Sequence, residues 1–522
     1  MMLQTTPLLQ AALLLGLAQS QECPDYLSYS TQRHEPFSNG TYQLSYMRPS
    51  PSCRTFNSSD VEDVITSMAG VIADPDLYRL FQNSYPNTLD TAIRWKGYAA
   101  NNSEEELTFI ITGDINAMWL RDSANQMQSY LPVLKADQSA DSIASLYRGV
   151  VNLQARYILT SPYCNSFQPP VESGVEGSVN DAASQDTVTP PYSNTSVFEC
   201  KYELDSLASF LEVSTNYYNA TGDLDFFGKF QWVDAVKAVL NTATEMLTPT
   251  YGPEGKVLTS PYTFTRMTTR ATETLANDGI GSPVGNGTGL VRSAFRPSDD
   301  STIFQLFIPA NMMFSRYLSS TAEIMAALEG QADLAAQMRS MAESIRSAIQ
   351  AHGVITDPNT GTQVYAYEVD GFGSAVVMDD ANIPSILSAP FLGFLDASDE
   401  VYQNTRAIIL DENSDSGANG NPYFMRGPVI NAVGGPHQGP GMAWPMASIV
   451  RILTTDDDAE ITSALKEIVS STDGLGLIHE SINSFNQSDW TRQWFSWANG
   501  LFGQMILDLN DRKPDILKES FQ

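Results

Sequence analysis

Two acids, an arginine and a tryptophan crowd the stretch Thr112-Gly113-Asp114-Ile115-Asn116-Ala117-Met118-Trp119-Leu120-Arg121-Asp122-Ser123. Asp114, Arg121 and Asp122 can hydrogen-bond the hydroxyls of a polyol at fixed angles. The face of Trp119 suits the apolar C–H face of a sugar ring. The same string also fits a plain helix start, with Asp122 or Ser123 as N-cap and a structural Arg–Asp pair.

Two other stretches isolate carboxylates in apolar or turn-marked surroundings. One is Phe295-Arg296-Pro297-Ser298-Asp299-Asp300-Ser301; the other is Gly474-Leu475-Gly476-Leu477-Ile478-His479-Glu480-Ser481. Cleaving a glycosidic bond needs two such groups, one to protonate the leaving oxygen and one to act from the opposite face. Inverting enzymes hold them roughly 6.5–9.5 Å apart and retaining enzymes about 5–5.5 Å apart. Adjacent acids can share a proton by mutual repulsion, and burial raises a carboxyl toward a working pKa. The Asp pair could equally be a charge-balanced cap beside Arg296, and Glu480 could pair with Arg492.

The chain resembles glycoside hydrolase family 125, the exo-acting α-1,6-mannosidases of bacteria and fungi. The resemblance rests on Thr112 to Ser123, Lys201-Tyr202-Glu203-Leu204-Asp205-Ser206-Leu207, Ala294 to Asp300, Tyr365-Ala366-Tyr367-Glu368-Val369-Asp370-Gly371, His479-Glu480-Ser481 and Trp494-Phe495-Ser496-Trp497-Ala498-Asn499. These six stretches, in order, span roughly residues 85 to 510. The resemblance implies an all-α (α/α)6 toroid with long active-site loops, and an inverting hydrolysis of terminal α-1,6-linked mannose. It also implies that Asp299, with Asp300 the alternative, is the general acid, and that Glu480 is the base activating water. Asp114, Trp119, Arg121, Asp122, Asp205, Arg296, His479, Trp494 and Trp497 are the candidate sugar-binding residues. Each Trp alone is better explained by core packing, and Glu368 and Asp370 are either pocket or turn residues.

The elements that would position these groups are mostly helical. Ile143, Leu146, Val150, Leu153 and Tyr157 fall on one helical face. Val233 to Met246, Leu334 to Ile349 and Leu207 to Tyr218 repeat the pattern. Ser123 to Leu134, Thr302 to Leu328 and Ile383 to Leu395 also read as helices. Good alternating strands are rare, Gln363 to Val369 being the best. Ser166 to Thr195 reads as an inserted surface loop and residues 412 to 441 as a second long connection.

The domain reading is a signal peptide over residues 1–20, an irregular N-terminal extension over 21–58, and a catalytic domain over 59–522. The signal reading rests on the short apolar run Leu8 to Leu17 followed by Ala18-Gln19-Ser20. Cys23, Cys53, Cys164 and Cys200 fit an oxidising compartment, and proximity favours Cys23–Cys53 and Cys164–Cys200. Sequons begin at Asn39, Asn57, Asn101, Asn194, Asn219, Asn286 and Asn486. The expectation is a secreted, glycosylated monomer.

Sixty acidic against 29 basic residues give a net charge of -31, which repels nucleic acid and anionic membrane surfaces. With 42% hydrophobic residues this is not a disordered composition. Four histidines without an HExxH pattern argue against a zinc hydrolase, and no cofactor is expected. The competing readings are another (α/α)6 carbohydrate-active enzyme (a glucoamylase-like hydrolase or a lyase) and a non-catalytic secreted glycan-binding protein. A lyase would want a Tyr, His or Lys base and a cation for a uronate. A binding protein would need neither Asp299 nor Glu480.

Overall fold

The computed structural model describes residues 23–410 and 420–522. The expected signal peptide lies outside the described residues, as does part of the 412–441 connection.

Among the described residues, twelve helices of nine residues or more carry the fold. In chain order they are α1 (Ser59–Met68), α2 (Pro75–Ser84), α3 (Leu120–Gln128), α4 (Ile143–Thr160), α5 (Leu204–Thr221) and α6 (Trp232–Glu245). There follow α7 (Ile308–Ala327), α8 (Ala332–Ala348), α9 (Glu400–Ile409), α10 (Pro445–Leu453), α11 (Asp458–Ser470) and α12 (Ser496–Arg512). Helices α12, α3, α5 and α7 pack side by side in that order, and α10 packs on α12. Every residue of α3 is buried, as an inner element requires. Helices α2, α4, α6, α8, α9 and α11 lie outside them; most bury one face, whereas α4, which begins at a Ser142 cap that accepts from Ser145 N, is buried on nearly all sides because the Ile93–Ala99/Asn102–Ile110 ladder covers it. Outer and inner elements alternate along the chain. The result is an (α/α)6 toroid.

The periodic faces read from sequence fall on helices α4, α5, α6 and α8, with Met246 the C-cap of α6 and Ile349 just past the end of α8. Ile383 to Leu395, read as a helix, instead forms successive turns. Pro384 and Pro390 each lack the amide hydrogen that a helix needs. The Asp379 carboxylate caps the segment by accepting from the amides of Ile386 and Leu387. It still fills the fourth inner position in chain order. Arg346 of α8 donates to the Phe394 carbonyl and Tyr402 of α9 to the Leu387 carbonyl. The helix read as Ser123 to Leu134 begins three residues earlier and ends at Gln128. The helix read from Thr302 starts only at Ile308, after the strand Leu306–Phe307. The stretch Gln363 to Val369 splits into two short strands in different sheets.

The longest ladder was not evident in the sequence. Ile93–Ala99 pairs antiparallel with Asn102–Ile110 and packs on α4. The inner half of the second strand is continuously buried, which hides the period-2 signature. Short strands also lead directly into inner helices: Met118–Trp119 before α3, Leu306–Phe307 before α7 and Met442–Ala443 before α10.

The bonds Cys23–Cys53 and Cys164–Cys200 are both formed. Residues 23–58 run largely without regular structure along the surface, and all seven sequon asparagines are exposed. Among the described residues, no helix is long and apolar enough to cross a membrane.

Candidate active site

The N-terminal ends of inner helices converge on one cavity of about 370 Å³. Trp119, Arg121 and Asp122 enter it from the start of α3, Trp444 from the start of α10, and Phe495 and Trp497 from the start of α12. Helix N-termini carry unpaired amides and a positive dipole end, which favour carboxylates. Asp299 and Glu480 line the same cavity from two loops.

Asp299 sits on a tight turn. Its amide donates to the Arg296 carbonyl and the Arg296 amide to the Asp300 carbonyl. Its φ is +65°, a left-handed conformation that costs energy for a residue with a Cβ. The turn is pinned from behind: Arg296 Nε donates to Glu368 Oε1 at 2.7 Å, and Ser298 Oγ to Asp380 Oδ2 at 2.9 Å. On the Asp299 side chain, Oδ1 accepts from Asn165 Nδ2 at 3.1 Å and Trp119 Nε1 at 3.4 Å. Lys201 Nζ holds the Asp299 carbonyl at 2.8 Å.

Asn165 Nδ2 also donates at 3.1 Å to Glu203 Oε1, so it bridges the Asp299 carboxyl to that of Glu203, the N-cap residue of α5. Burial pushes both up. In Asp299 the Lys201, Arg121 and His437 cations overcome it and hold the acid below the usual carboxylate range. In Glu203 burial prevails over Arg121 and raises it well above that range. Arg121 bridges Glu203 at 2.5 Å and Asp205 at 3.1 Å. Asp122 rises to about 6 through burial, with Arg121 and Arg492 opposing.

Glu480 Oε2 accepts from Thr491 Oγ1 at 2.9 Å and Gln438 Nε2 at 3.1 Å, and Oε1 accepts from Arg492 Nη1 at 3.2 Å. It is 3% exposed, so these three donors satisfy an acid that has little solvent. His437, also in the cavity wall, places Nδ1 3.4 Å from Asp300 Oδ2. Burial opposes its charge, but Asp300 raises its pKa to about 9.

The cavity therefore gathers Asp299, Glu480, Trp119, Arg121, Asp122 and Trp497 from the sequence candidates, and leaves out the others. Asp300 is turned onto His437, and Arg296 is spent on Glu368. Asp114 bonds Arg492 at 2.7 Å and Asp205 bonds Arg121, so both brace pocket cations from outside. His479 is fully buried, stacked on Trp490 at 4.7 Å, and bonded through Nε2 to the Thr472 carbonyl. Burial lowers its pKa to about 4, and it lies in the core outside the cavity lining. Trp494 packs edge-on against Tyr26 and donates to Thr91, which makes it part of the N-terminal seam. Glu368 is a strand residue that accepts from the amides of Ile303 and Phe304, and Asp370 closes the following turn by accepting from those of Phe372 and Ser374.

Sequence reading missed several wall residues. Asn180 comes from the long loop read as an insertion; His437, Gln438 and Trp444 come from or follow the second connection. Lys201 and Glu203 stood in a quoted motif beside the Asp205 that was singled out. Among the described residues, no group of three or more His, Cys, Asp or Glu could hold a metal ion.

A family profile described as metal-independent alpha-mannosidase (GH125) matches residues 74–507, a span holding every residue of this cavity. The chain belongs to family GH125. It is thus a member of a glycoside hydrolase family of alpha-mannosidases. It is 47% identical over 499 residues to the meiotically up-regulated gene 157 protein of Schizosaccharomyces pombe, covering 95% of this chain and 94% of that one. Among solved structures, it is similar to a Streptococcus pneumoniae member of the metal-independent alpha mannosidases, in a non-productive complex with alpha-1,6-mannobiose. That likeness has a TM-score of 0.75 and 34% identity, and covers 88% of this chain and 99% of the other. The GH125 likeness extends over the whole toroid.

Proposed function

We propose that the chain is a secreted, inverting exo-α-1,6-mannosidase. It removes single mannose units from the non-reducing ends of N-glycan or mannan branches. Asp299 protonates the leaving oxygen, and Glu480 takes a proton from the attacking water. The observation that carries this reading is that these two acids share one cavity, while Asp300, the alternative acid, is engaged by His437. The linkage is supported by the mannobiose held by the Streptococcus relative, and the glycan class by the N-linked glycan processing attributed to it. Arg121 and Asp122 bind sugar hydroxyls. The indole N–H groups of Trp497 and Trp444 are buried without a protein partner, which leaves them as donors to the same sugar.

Residues 59–522 are the catalytic domain and the preceding segment is an extension tied down by Cys23–Cys53. Two disulfides and seven exposed sequons support passage through a secretory pathway.

The test is digestion of α-1,6-mannobiose followed by NMR, in the presence of EDTA, with wild type, Asp299→Asn and Glu480→Gln. The expected result is early β-mannose from wild type and near-complete loss in both folded variants. Early α-mannose would mean retention and remove the role given to Glu480. No cleavage by folded wild type would reject the substrate.

A further inference from the structure

We propose that Glu203 holds the proton that Asp299 delivers, so that the two carboxyls work as a single proton-carrying pair with Asp299 facing substrate and Glu203 as the positioning member behind it. This rests on the reading of Asp299 as the general acid.

The geometry separates the two roles. Asp299 lines the cavity; Glu203, 1% exposed, does not. Asn165 Nδ2 donates at 3.1 Å to Asp299 Oδ1 and at 3.1 Å to Glu203 Oε1, which sets the two carboxyls side by side on one amide nitrogen. Two carboxylates held this close in a buried site cannot stably both be ionised, so the pair retains one proton. The surrounding charges decide where it rests. Lys201 and Arg121 face Asp299, with His437 and Asp122 further off and Asp300 on the far side of His437. Arg121 divides its charge among Glu203, Asp205 and Asp122. Lys201, Arg121 and His437 favour the ionised form of Asp299, whereas for Glu203 deep burial outweighs Arg121, which it shares, and the weaker pull of Lys201. The resting proton is therefore on Glu203.

An acid held ionised by Lys201 cannot protonate a leaving group at neutral pH without a nearby supply. When the glycosidic oxygen reaches Asp299, the proton passes from Glu203 to Asp299, and rotation about Cβ–Cγ presents it to the cavity. The C–O bond breaks with its electron pair going to the oxygen, which takes that proton. Water attacks the anomeric carbon and gives its own proton to Glu480. Glu480 then loses a proton to solvent and Glu203 regains one, so each turnover consumes one water.

The test compares Glu203→Gln with wild type on α-1,6-mannobiose and on α-mannosyl fluoride, whose leaving group needs no acid. The expected result is a loss of about 100-fold or more in kcat/KM on mannobiose at pH 7. The alkaline limb of the pH profile should move down by about one unit or more, and the loss on the fluoride should stay within about tenfold. Equal losses on both substrates, or an unmoved limb, would overturn the proposal. Asp299→Asn, run in parallel, separates the two levels. If it is folded and active on mannobiose, the acid assignment itself fails. If it is inactive but Glu203→Gln keeps its limb, only the role of Glu203 fails. Should Glu203→Gln not fold, infrared difference spectra of wild type minus Asp299→Asn at pH 7 decide the matter. A shift or loss of one protonated-carboxyl band in the variant is expected, because the partner of that proton has changed, and an unchanged band overturns the shared proton.

Discussion

Arg492 ties Glu480 to the opening motif: its Nη1 lies 3.2 Å from Glu480 Oε1 while its Nε donates at 2.8 Å to Asp114 Oδ1. Its backbone φ of +43° is a left-handed conformation that a side chain adopts at a cost, and these bonds to Asp114 and Glu480 help hold it. Asp114, the first acid of the opening motif, thus acts on Glu480 through a fork of nitrogens.

Arg492→Lys keeps the charge but cannot bond both acids from fixed positions. We expect kcat on α-1,6-mannobiose to fall about 10- to 100-fold with little change in KM, because the base is misplaced and the sugar contacts are not. Steady-state kinetics check this; an unchanged kcat would show that Glu480 is positioned by Thr491 and Gln438 alone.

Trp119 and Trp494 should separate cleanly. Trp119 lines the cavity and donates to Asp299, whereas Trp494 packs on Tyr26 outside it. Trp119→Ala is expected to lower kcat/KM by about 10- to 100-fold, the worth of one good sugar-face contact plus a carboxylate donor. Trp494→Phe should leave KM unchanged and lower only the melting temperature.

The Cys164–Cys200 bond is flanked by Asn165 and Lys201, both of which touch Asp299. A Cys164→Ser/Cys200→Ser variant should therefore lose activity as well as the ~3–4 kcal/mol that such a crosslink contributes. Cys23→Ser/Cys53→Ser should lose stability alone. Chemical denaturation and kcat on the two pairs make the comparison.

Glu212 of α5 is buried in the ring with Tyr317 and Gln128 as partners, and burial raises its pKa from 4.5 to about 7. The folded state thus binds its proton more tightly than the unfolded chain. Stability from this group is present below pH 4.5 and lost as pH rises to 7. Glu212→Gln should match wild type near pH 4.5 and exceed it at pH 8 by up to ~3 kcal/mol. Melting curves at the two pH values are the measurement.

His437 titrates with the opposite charge. Burial works against its cation, yet Asp300 lifts its pKa from 6.5 to about 9. Its contribution to stability is full below pH 6.5 and is lost as pH rises through 9. His437→Gln should abolish that part of the alkaline fall in melting temperature.

The sequence by itself determined the alternation of helices, because a 3.6-residue apolar period specifies one buried face without reference to any partner. It also determined the disulfide pairing, where chain proximity ruled, and it marked Asp299 and Glu480, whose apolar or turn-rich flanks are local features. It did not determine which of nine further polar and aromatic candidates line the cavity. Arg296, His479 and Trp494 have the same residue types and spacing as true pocket residues, yet Glu368, Trp490 and Tyr26 claim them from distant parts of the chain. Nor could it find Glu203, whose importance lies in meeting Asp299 some 96 residues on. Burial, the sharing of a proton and the competition of cations for one carboxylate depend on distances between elements. Only the closing of the ring sets those distances.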